Sequence, residues 1–303
     1  MIELDLQKQW HRPSGTVSLD MQMQVQQGTL LSLFGQSGAG KTTLLRMLAG
    51  LTRPDSGMIR VGDTVWFDHA RKIDLAPQRR SVGFVFQDYA LFPNLSVADN
   101  VAYALNKKNA AQLPRLLALT GLSDLRGQLP QRLSGGQKQR VALARALARV
   151  ISCETRLLLL DEALSALDSE LRAQLQDALL HIHREFGLTT LLVSHDVGEV
   201  FKLSGQVCLL EQGRVSRTGT PASVFLQQPL QGKLHLQAQV LAIRKEDVVF
   251  VLSLLVGADI VEIIASDDEV AGLHIGDRIA ISAKAFSPLI FKTSTTSPGA
   301  FQS

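Results

Sequence analysis

A glycine-rich segment near the start of the chain has the residue types and spacing needed to hold phosphate. The segment GQSGAGKTT (Gly35–Thr43) follows the apolar run Leu30–Phe34 and precedes the helix-like sequence LLRMLAG. Its glycines let backbone N–H groups converge on phosphate oxygens, and the start of the next helix adds partial positive charge. Lys41 would then hold the β and γ phosphates of a nucleotide, and the hydroxyl of Thr42 would reach Mg²⁺. The predicted phosphate-binding residues are Gly35, Gln36, Ser37, Gly38, Ala39, Gly40, Lys41, Thr42 and Thr43.

Two adjacent carboxylates follow another apolar run. In the sequence LLLLDE, four leucines lead directly into Asp161 and Glu162. A buried strand of this kind presents both carboxylates at the carboxyl edge of a sheet, where nucleotides bind in open α/β folds. Asp161 would hold Mg²⁺ through water, and Glu162 would polarise the attacking water as general base. A strand-to-helix turn with acidic helix-starting residues also explains the pair, and only the phosphate loop favours the catalytic interpretation.

A second loop with the features of an anion site lies at Leu133–Arg140, LSGGQKQR, before the helix-forming sequence VALARALAR. Ser134, Gly135 and Gly136 offer a hydroxyl and uncovered backbone amides at a helix start. A plain serine-capped helix would be the preferred explanation if this segment stood alone. Both loops can serve one nucleotide only if the second reaches it from another direction.

These motifs need a sheet to position them, and the first part of the chain supplies the strands. Up to about Gln228, short apolar runs alternate with longer helical stretches, which predicts an α/β domain with a mainly parallel sheet. Between Leu91 and Arg149 helix formers dominate, so we expect a helical insert there. The predicted strands are Leu30–Phe34, Val82–Phe86, Leu157–Leu160, Leu188–Val193 and Val207–Leu210.

After Gln228 the pattern changes to short strand-like runs separated by glycine or aspartate turns, which predicts a small all-β module. We therefore divide the chain into a first domain at residues 1–230, an all-β domain at 231–292 and a disordered Ser/Thr/Pro/Gly-rich tail at 293–303. The strands predicted in the second domain are Leu234–Val240, Asp247–Leu255, Ile260–Ile264 and Asp277–Lys284.

Composition and charge exclude several classes of protein. The 303 residues are 46% hydrophobic and 19% charged with a net charge of only +3, which argues against disorder and against a general nucleic-acid binder. Two cysteines, Cys153 and Cys208, are too few for a disulfide framework and favour a reducing compartment. The sequence MIELDLQKQW lacks the basic start of a secretory signal, and charges interrupt the longest apolar stretch, Val248–Ala265. We expect a soluble cytoplasmic protein.

Six motifs together resemble the nucleotide-binding subunit of an ABC transporter. They are GQSGAGKTT, the glutamine of VFQDYALFP, LSGGQ, LLLLDE, SALD and the histidine of LLVSHD, in that family's order and at about its spacing. The resemblance covers Ile2 to about Gln228. It implies a P-loop NTPase core of the ABC-ATPase type with a helical subdomain, binding of ATP and Mg²⁺, and ATP hydrolysis. The second domain resembles the small TOBE/OB-like barrel appended to importer ATPases.

The resemblance also assigns roles to matching positions. Gln87 would sense Mg²⁺ and the γ-phosphate, His195 would contact the γ-phosphate, and Asp168 would lie at a dimer interface. The implied catalytic residues are Glu162, His195 and Gln87, the metal-binding residues are Thr42, Gln87 and Asp161, and the nucleotide contacts from a second copy are Ser134, Gly135, Gly136, Gln137 and Asp168.

Three positions keep alternative interpretations or depart from the family. Trp10 would stack on adenine, but it also suits a partly buried core position, and His11 would serve as a stacking residue instead. Ala163 stands where the family usually has proline, which loosens the turn without removing a catalytic group. The link VISCET before the LLLLDE strand is longer than usual; we expect Cys153 in an exposed loop and Cys208 in the core of a strand.

The family implies two copies packed head to tail around ATP, together with integral membrane permease subunits and, indirectly, a periplasmic solute-binding protein. The chain would then lie peripherally on the cytoplasmic face of the inner membrane, with no nucleic-acid partner. A soluble ABC ATPase acting on DNA or ribosomes would usually show two fused halves or a long coiled-coil insertion, and neither is present. A regulator without hydrolysis would be expected to lack Glu162 or His195, and both are present.

The transported solute is predicted from two segments. The β module and the sequence PQRRSVGFVFQDYALFP resemble the molybdate import ATPase most closely, which predicts an oxyanion such as molybdate. Sulfate, iron, polyamine and sugar importers share much of the pattern and remain alternatives. Ser282 and Lys284 would contribute to an oxyanion site in the module, but a solvated strand end in a dimer-stabilising module is the preferred explanation.

Overall fold

The computed structural model describes residues 1–12, 15–165, 167–225, 233–246, 249–265 and 267–284. The chain divides into two compact units, Met1–Gln227 and Gln228–Ser303. The tail predicted at 293–303 lies outside the described residues.

One mixed sheet of eleven strands forms the centre of the first unit, with the strand order β6-β5-β4-β1-β2-β11-β10-β3-β9-β8-β7. Its strands are β1 (Ile2–Arg12), β2 (Gly15–Val25), β3 (Leu30–Phe34), β4 (Ser56–Val61), β5 (Thr64–Asp68), β6 (Ile73–Asp74), β7 (Val82–Val85), β8 (Leu157–Asp161), β9 (Thr189–Val193), β10 (Gln206–Glu211) and β11 (Arg214–Gly219). The helices of this unit are α1 (Lys41–Leu48), α2 (Val97–Ala102), α3 (Leu113–Leu119), α4 (Gly135–Ile151), α5 (Ser169–Phe186), α6 (Val197–Leu203) and α7 (Pro221–Phe225).

The five strands β10, β3, β9, β8 and β7 run parallel to one another. Helices cover such a sheet on both faces, so its strands are apolar throughout, and all five residues of β8 and of β9 are buried. These are the strands predicted from the sequence, and their ends differ from the prediction by at most one residue. The parallel α/β core is therefore confirmed.

The other side of the sheet is antiparallel and was not predicted. Strand β1 pairs with β2 and with β4, and β4 continues the antiparallel pairing to β5. In β1, the side chains of Ile2, Leu4 and Leu6 are buried, and they alternate with more exposed polar residues, as expected for a strand with one covered face. This side of the sheet packs its buried face against α1, within one apolar cluster.

The segment between Leu91 and Arg149 is helical, as predicted. It contains α2, α3 and the start and centre of α4, together with short 3-10 turns at Lys107–Gln112, Ser123–Leu125 and Pro130–Arg132. Helices α2 and α3 pack against α4 around a shared apolar core. The long helix α4 also packs against β7, so it links the helical segment to the parallel sheet.

Arg80 is completely buried between α1 and the antiparallel strands. Its guanidinium donates hydrogen bonds to the carbonyl oxygens of Met47 at 2.6 Å and Leu48 at 3.0 Å, in the last turn of α1. It also donates to the carbonyl of Leu75 at 2.8 Å and forms an ion pair with Asp74 at 3.2 Å. A helix end leaves its last carbonyls without intrahelical partners, and Arg80 supplies donors to two of them at the end of the helix that begins at Lys41.

Replacing Arg80 with methionine is expected to lower the free energy of unfolding by about 3 kcal/mol, because several buried carbonyls lose their donor. Urea denaturation would measure the change. The neighbouring Arg79, which is exposed, gives the control, and Arg79→Met should change stability by less than about 0.5 kcal/mol. Equal losses in the two variants would contradict the stabilising role of Arg80.

The second unit contains an antiparallel sheet with the strand order β14-β13-β12-β15. Its core includes Val240, Leu252 and Leu254. The all-β class agrees with the prediction, but in the described residues the sheet is open between β14 and β15, so closure into a TOBE/OB-like barrel remains a prediction. Its elements are β12 (Lys233–Glu246), β13 (Val249–Val256), β14 (Asp259–Ala265), α8 (Asp267–Val270) and β15 (Arg278–Lys284).

The helices described here are all too short or too polar to cross a membrane.

Candidate nucleotide-binding site

Four neighbouring parallel strands bring most of the predicted site residues to one edge of the sheet. The strands β3, β9, β8 and β7 are adjacent in that order and run in the same direction. Residues that follow the carboxyl ends of parallel strands share one edge, where α/β folds bind ligands. Gly35 follows β3, His195 lies just beyond β9, Glu162 follows β8 and Gln87 lies just beyond β7.

The loop between β3 and α1 requires glycine at particular points. Gly35 has φ of +147°, and a Cβ at this position would lie 2.2 Å from the carbonyl oxygen of Leu210. Gly40 has φ of +99° at the N-terminus of α1, where no side chain caps the helix. The helix therefore presents its first backbone N–H groups toward the loop, as required for an anion. Gln36 and Ser37 are exposed, Ala39 is buried and Thr43 is partly buried.

Lys41 lies inside this loop and is mostly buried. Its Nζ donates hydrogen bonds to the carbonyl oxygens of Gly35 at 2.6 Å and Gln36 at 2.9 Å. Burial lowers the pKa of the Lys41 ammonium, and the carboxylates of Glu162 and Asp161 partly oppose that shift. The two carbonyls hold the ammonium at the start of the loop, where it can receive phosphate oxygens.

Thr42 and Asp161 meet beside the loop. The hydroxyl of Thr42 donates a hydrogen bond of 3.0 Å to Oδ1 of Asp161, which is only 3% exposed. Burial raises the pKa of Asp161, and the Thr42 hydrogen bond opposes the shift. A hydroxyl and a buried carboxylate are oxygen donors of the kind that Mg²⁺ prefers, and a cation would compensate the buried charge. The residues present therefore fit the predicted magnesium ion.

Glu162 has a strained backbone, and both its N–H and its carbonyl are hydrogen-bonded. Its φ is +51°, an unusual value for a residue other than glycine. Its N–H donates to the carbonyl of Val193 at 3.1 Å, and its own carbonyl accepts from Gln139 Nε2 at 3.2 Å and Ser165 Oγ at 2.9 Å. Surrounding contacts maintain strain of this kind mainly at functional sites. The Glu162 carboxylate lies 3.8 Å from Nδ1 of His195, whose side chain is 68% exposed.

Gln87 is exposed in the turn after β7, and the structure gives the residues behind it an unusual conformation. Tyr89 and Ala90 have φ of +62° and +43°. Arg145 of α4 donates hydrogen bonds to the carbonyls of both residues, at 2.9 Å and 2.8 Å, and its guanidinium lies 5.2 Å from the ring centre of Phe92. A single helix thus holds the loop that carries Gln87.

Sequence reasoning missed Gln139 and Arg145, although both lie in the segment QKQRVALARAL. Gln139 is buried and contacts Glu162, whereas Arg145 contacts the loop after Gln87. The available signal was their position within α4, because polar side chains in a largely buried helix need hydrogen-bond partners.

The second candidate loop forms the start of α4. The Ser134 hydroxyl accepts from the N–H of Gln137 at 3.3 Å, and Gln137 Oε1 accepts from the N–H of Ser134 at 2.9 Å. This reciprocal pair is a capping box. Within the described part of the chain, no hydrogen bond joins Ser134, Gly135, Gly136 or Gln137 to residues 35–43. Within one copy, this segment is therefore a serine-capped helix start, as the simpler of the two interpretations predicts.

Several other predictions concern residues near the site. Trp10 is partly buried in β1, with its ring 3.8 Å from the position of a Cβ at Gly40, so both the core and the stacking interpretations remain open. The His11 side chain lies outside the described part. Asp168 caps α5 by accepting from the N–H of Leu171 at 2.9 Å. Ala163 is buried beside Glu162.

The two cysteines differ from each other in burial. Cys153 lies in the turn after α4 and is partly buried, so the expectation of an exposed loop residue was wrong. Asn106 and Asn109 donate hydrogen bonds to Ser152 and Ile151, so another segment packs beside this turn, and burial raises the pKa of the Cys153 thiol. Cys208 is fully buried in β10, as predicted. The side chains of Ser282 and Lys284 lie outside the described part, so their proposed oxyanion contact stays a prediction.

Comparison with known proteins gives a consistent family assignment for the first unit. A family model described as "ABC transporter" matches residues 19–165. The chain is 46% identical over 208 residues to a sulfate/thiosulfate import ATP-binding protein of Chromobacterium violaceum, covering 67% of this chain and 54% of the relative. It is 43% identical over 231 residues to the protein of the same description from Xylella fastidiosa, covering 73% of this chain and 63% of the relative. The chain therefore spans little more than half the length of these curated relatives.

Solved structures show the same likeness. A dimeric ATP-binding cassette in a post-hydrolysis state, bound to ADP and Pi, matches with a TM-score of 0.63 and 26% identity, over 73% of this chain and 99% of that chain. A second dimeric structure, described as a bacterial ABC transporter cassette, matches with a TM-score of 0.61 and 27% identity. With the sheet edge, phosphate loop and acidic pair described above, these findings show that the chain carries an ATP-binding domain of the ABC transporter family.

Proposed function

We propose that this chain is the ATP-hydrolysing subunit of an importer that takes up an oxyanion, sulfate or thiosulfate in particular. One observation carries the catalytic part of the proposal. The Thr42–Asp161 hydrogen bond and the Glu162–His195 contact lie at the same sheet edge as the phosphate loop. Phosphate-binding, metal-binding and base functions are therefore adjacent.

Each residue of the site has a distinct role in the proposed hydrolysis of ATP. Lys41 and the N–H groups at the start of α1 bind the β and γ phosphates through charge and hydrogen bonds. Glu162 orients the attacking water and accepts its proton, and its carboxylate lies 3.8 Å from Nδ1 of His195 at this edge of the sheet. His195 and Gln87 contact the γ-phosphate side of the nucleotide from the two neighbouring strand ends.

Thr42 and Asp161 are the residues best suited to hold Mg²⁺, and Gln87 is proposed as a further contact. When bound, the ion neutralises charge on the phosphate oxygens. Asp161 is buried and accepts a hydrogen bond from Thr42, so it also orders the Thr42 hydroxyl at the start of α1.

A second copy of the chain is the proposed partner at the nucleotide. Ser134 and Gln137 are bound to each other at an exposed helix start and make no hydrogen bond to residues 35–43 within the described part. A head-to-tail arrangement would bring this helix start to the ATP of the other copy, with Asp168 at the interface. The likeness to two dimeric cassettes supports this arrangement.

An apolar cleft between β7 and α4 is the proposed contact for a membrane permease. Its lining includes Phe84, Phe86, Phe92 and Tyr103, and Tyr103 is 71% exposed. A large exposed aromatic surface of this kind marks a binding site for a partner. The cleft adjoins the loop that carries Gln87. A permease bound in the cleft would therefore contact a loop at the phosphate-binding edge of the sheet. A periplasmic solute-binding protein would act indirectly, and the chain would lie peripherally at the cytoplasmic face of the inner membrane.

The relatives favour sulfate or thiosulfate over molybdate as the solute. Both relatives described above are named for sulfate/thiosulfate import, and they are more than 40% identical to this chain. The prediction of molybdate receives no support from them, whereas its sulfate alternative does.

Deleting the gene for this chain is expected to reduce uptake of radiolabelled sulfate or thiosulfate about tenfold or more, because import without ATP hydrolysis stalls. Uptake of molybdate, measured in the same cells, should change less than twofold. Restoring the parent chain should recover sulfate uptake, whereas the Glu162→Gln variant should not. Loss of molybdate uptake alone would contradict the proposed solute, and a chain that never co-purifies with a membrane permease would contradict the importer.

A further inference from the structure

The guanidinium of Arg172, in α5, contacts two separate loops at the proposed nucleotide-binding edge of the sheet. Its Nη2 donates a hydrogen bond of 2.8 Å to the carbonyl oxygen of Leu167, in the loop that ends at Asp168. Its Nη1 lies 3.5 Å from Oδ2 of Asp196, the residue after His195. One guanidinium therefore contacts both the loop after Glu162 and the loop that carries His195.

The residues on either side of His195 are tied together. The N–H of Asp196 donates to the Ser194 hydroxyl at 3.0 Å, and Oδ1 of Asp196 accepts from the N–H of Glu199 at 3.1 Å. Asp196 is thus the capping residue of α6, and its second carboxylate oxygen faces Arg172. A shift of Arg172 would move this cap, and the cap directly follows His195.

Glu199 approaches the same cluster from α6. Its side chain is 8% exposed and is hydrogen-bonded to Ser194 and Gln176. Burial raises the pKa of this carboxyl, and the nearby Arg172 opposes the shift. Among the described residues, Nε of Arg172 and Oε1 of Glu199 are buried without a hydrogen-bond partner. Unsatisfied buried polar atoms cost stability, so stability alone does not explain the pair.

We propose that Arg172 is a positioning residue that couples the Asp168 loop to His195, with Glu199 supporting Ser194 from the opposite side. This inference rests on the proposed function, in which Asp168 meets a second copy and His195 contacts ATP. Contact with the second copy at the Asp168 loop would move the Leu167 carbonyl, and Arg172 would pass that movement to the cap of α6. His195 would then reach its working position only in the assembled pair.

The chain offers a matched control for this link. Lys202 of α6 donates to the carbonyl of Ala173 at 3.1 Å and pairs with Asp177 at 2.8 Å, so it joins the same two helices. Among the described residues, Lys202 has no hydrogen bond or ion pair to either loop. Replacing Lys202 with methionine removes a cation between α5 and α6 without disturbing the contacts to Leu167 and Asp196, whereas Arg172→Met removes those contacts.

The test combines amide hydrogen exchange with steady-state kinetics on the full chain. In Arg172→Met, the amides of residues 194–199 should exchange about tenfold faster than in the parent, and those of 163–168 should also accelerate. The kcat for MgATP should fall about tenfold, with KM within about twofold, because a displaced His195 affects the reaction more than binding. Lys202→Met should change none of these values more than about twofold.

Arg172→Lys keeps the charge but cannot bridge both loops, so it should restore less than half of the lost kcat. If Arg172→Met and Lys202→Met gave the same exchange and the same kcat, the proposed link would be wrong. The hydrogen-exchange measurement does not require ATP hydrolysis. It therefore tests the link between Arg172 and the His195 loop even if the parent chain proves unable to hydrolyse ATP. That failure would overturn the proposed function instead.

Discussion

Replacing Glu162 with glutamine should reduce the rate of ATP hydrolysis by about 100-fold or more while leaving ATP binding intact, because the amide cannot accept the proton of water. The backbone hydrogen bonds of residue 162 involve its N–H and carbonyl, so the substitution leaves them in place. Unhydrolysed ATP should then hold two copies together. Phosphate release and size-exclusion chromatography with and without MgATP measure the two effects.

The exposed Glu170 at the start of α5 provides the control for loss of a carboxylate nearby. Glu170→Gln should retain hydrolysis within about twofold of the parent. The general-base assignment would be wrong if Glu162→Gln hydrolysed ATP at the parent rate and stayed monomeric with the nucleotide.

Replacing Lys41 with methionine is expected to weaken ATP binding about 100-fold, since hydrogen bonds to charged groups contribute about 1.5–3 kcal/mol each. The Lys41 ammonium is fixed at the loop by the carbonyls of Gly35 and Gln36, so little ordering is needed when phosphate arrives. Titration with a fluorescent ATP analogue measures the affinity, and hydrolysis should be lost in parallel.

Arg46 lies in the same helix, is exposed and carries the same charge, which makes Arg46→Met the matched control. It should change ATP affinity by no more than about threefold, through long-range charge alone. A Lys41→Met variant that bound ATP as tightly as Arg46→Met would show that the ammonium does not hold the phosphates.

The central sheet and its site were predictable because local sequence carries both signals. The apolar runs ending at Phe34 and Leu160 are long enough and apolar enough to identify buried parallel strands. The site motifs follow directly after these apolar runs. The same short segments therefore identify both the ends of the strands and the candidate site residues. The shared direction of β3, β9 and β8 is what turns separate motifs into one site.

The antiparallel side was missed although its signal was present. Leu4, Leu6, Met21 and Met23 are buried at alternate positions, and this period of two marks a half-buried strand. The N-terminal sequence was interpreted for targeting alone, so its alternation was overlooked. A change in sequence pattern after Gln228 predicts a second domain from residue 231, and the two compact units divide between Gln227 and Gln228.

The contacts of three arginines could not be assigned from sequence. Arg80, Arg145 and Arg172 each donate to backbone carbonyls that lie 5 to 56 positions away along the chain. Which carbonyls need a donor depends on how helices end and how loops turn, and only the folded structure determines that. Arginine suits these positions because its fork of donors reaches two acceptors at once.

The two native thiols are poorly suited to react with reagents in solution. Burial raises the pKa of Cys208 to about 11, and it also raises the pKa of the partly buried Cys153. Because the thiolate is the nucleophile, Cys208 is almost entirely unreactive near neutral pH, and Cys153 reacts more slowly than an exposed thiol. A cysteine introduced at an exposed position such as Asp63 would therefore take a maleimide dye ahead of them. Singly labelled donor and acceptor chains would then report the meeting of two copies by energy transfer, with both native cysteines left in place.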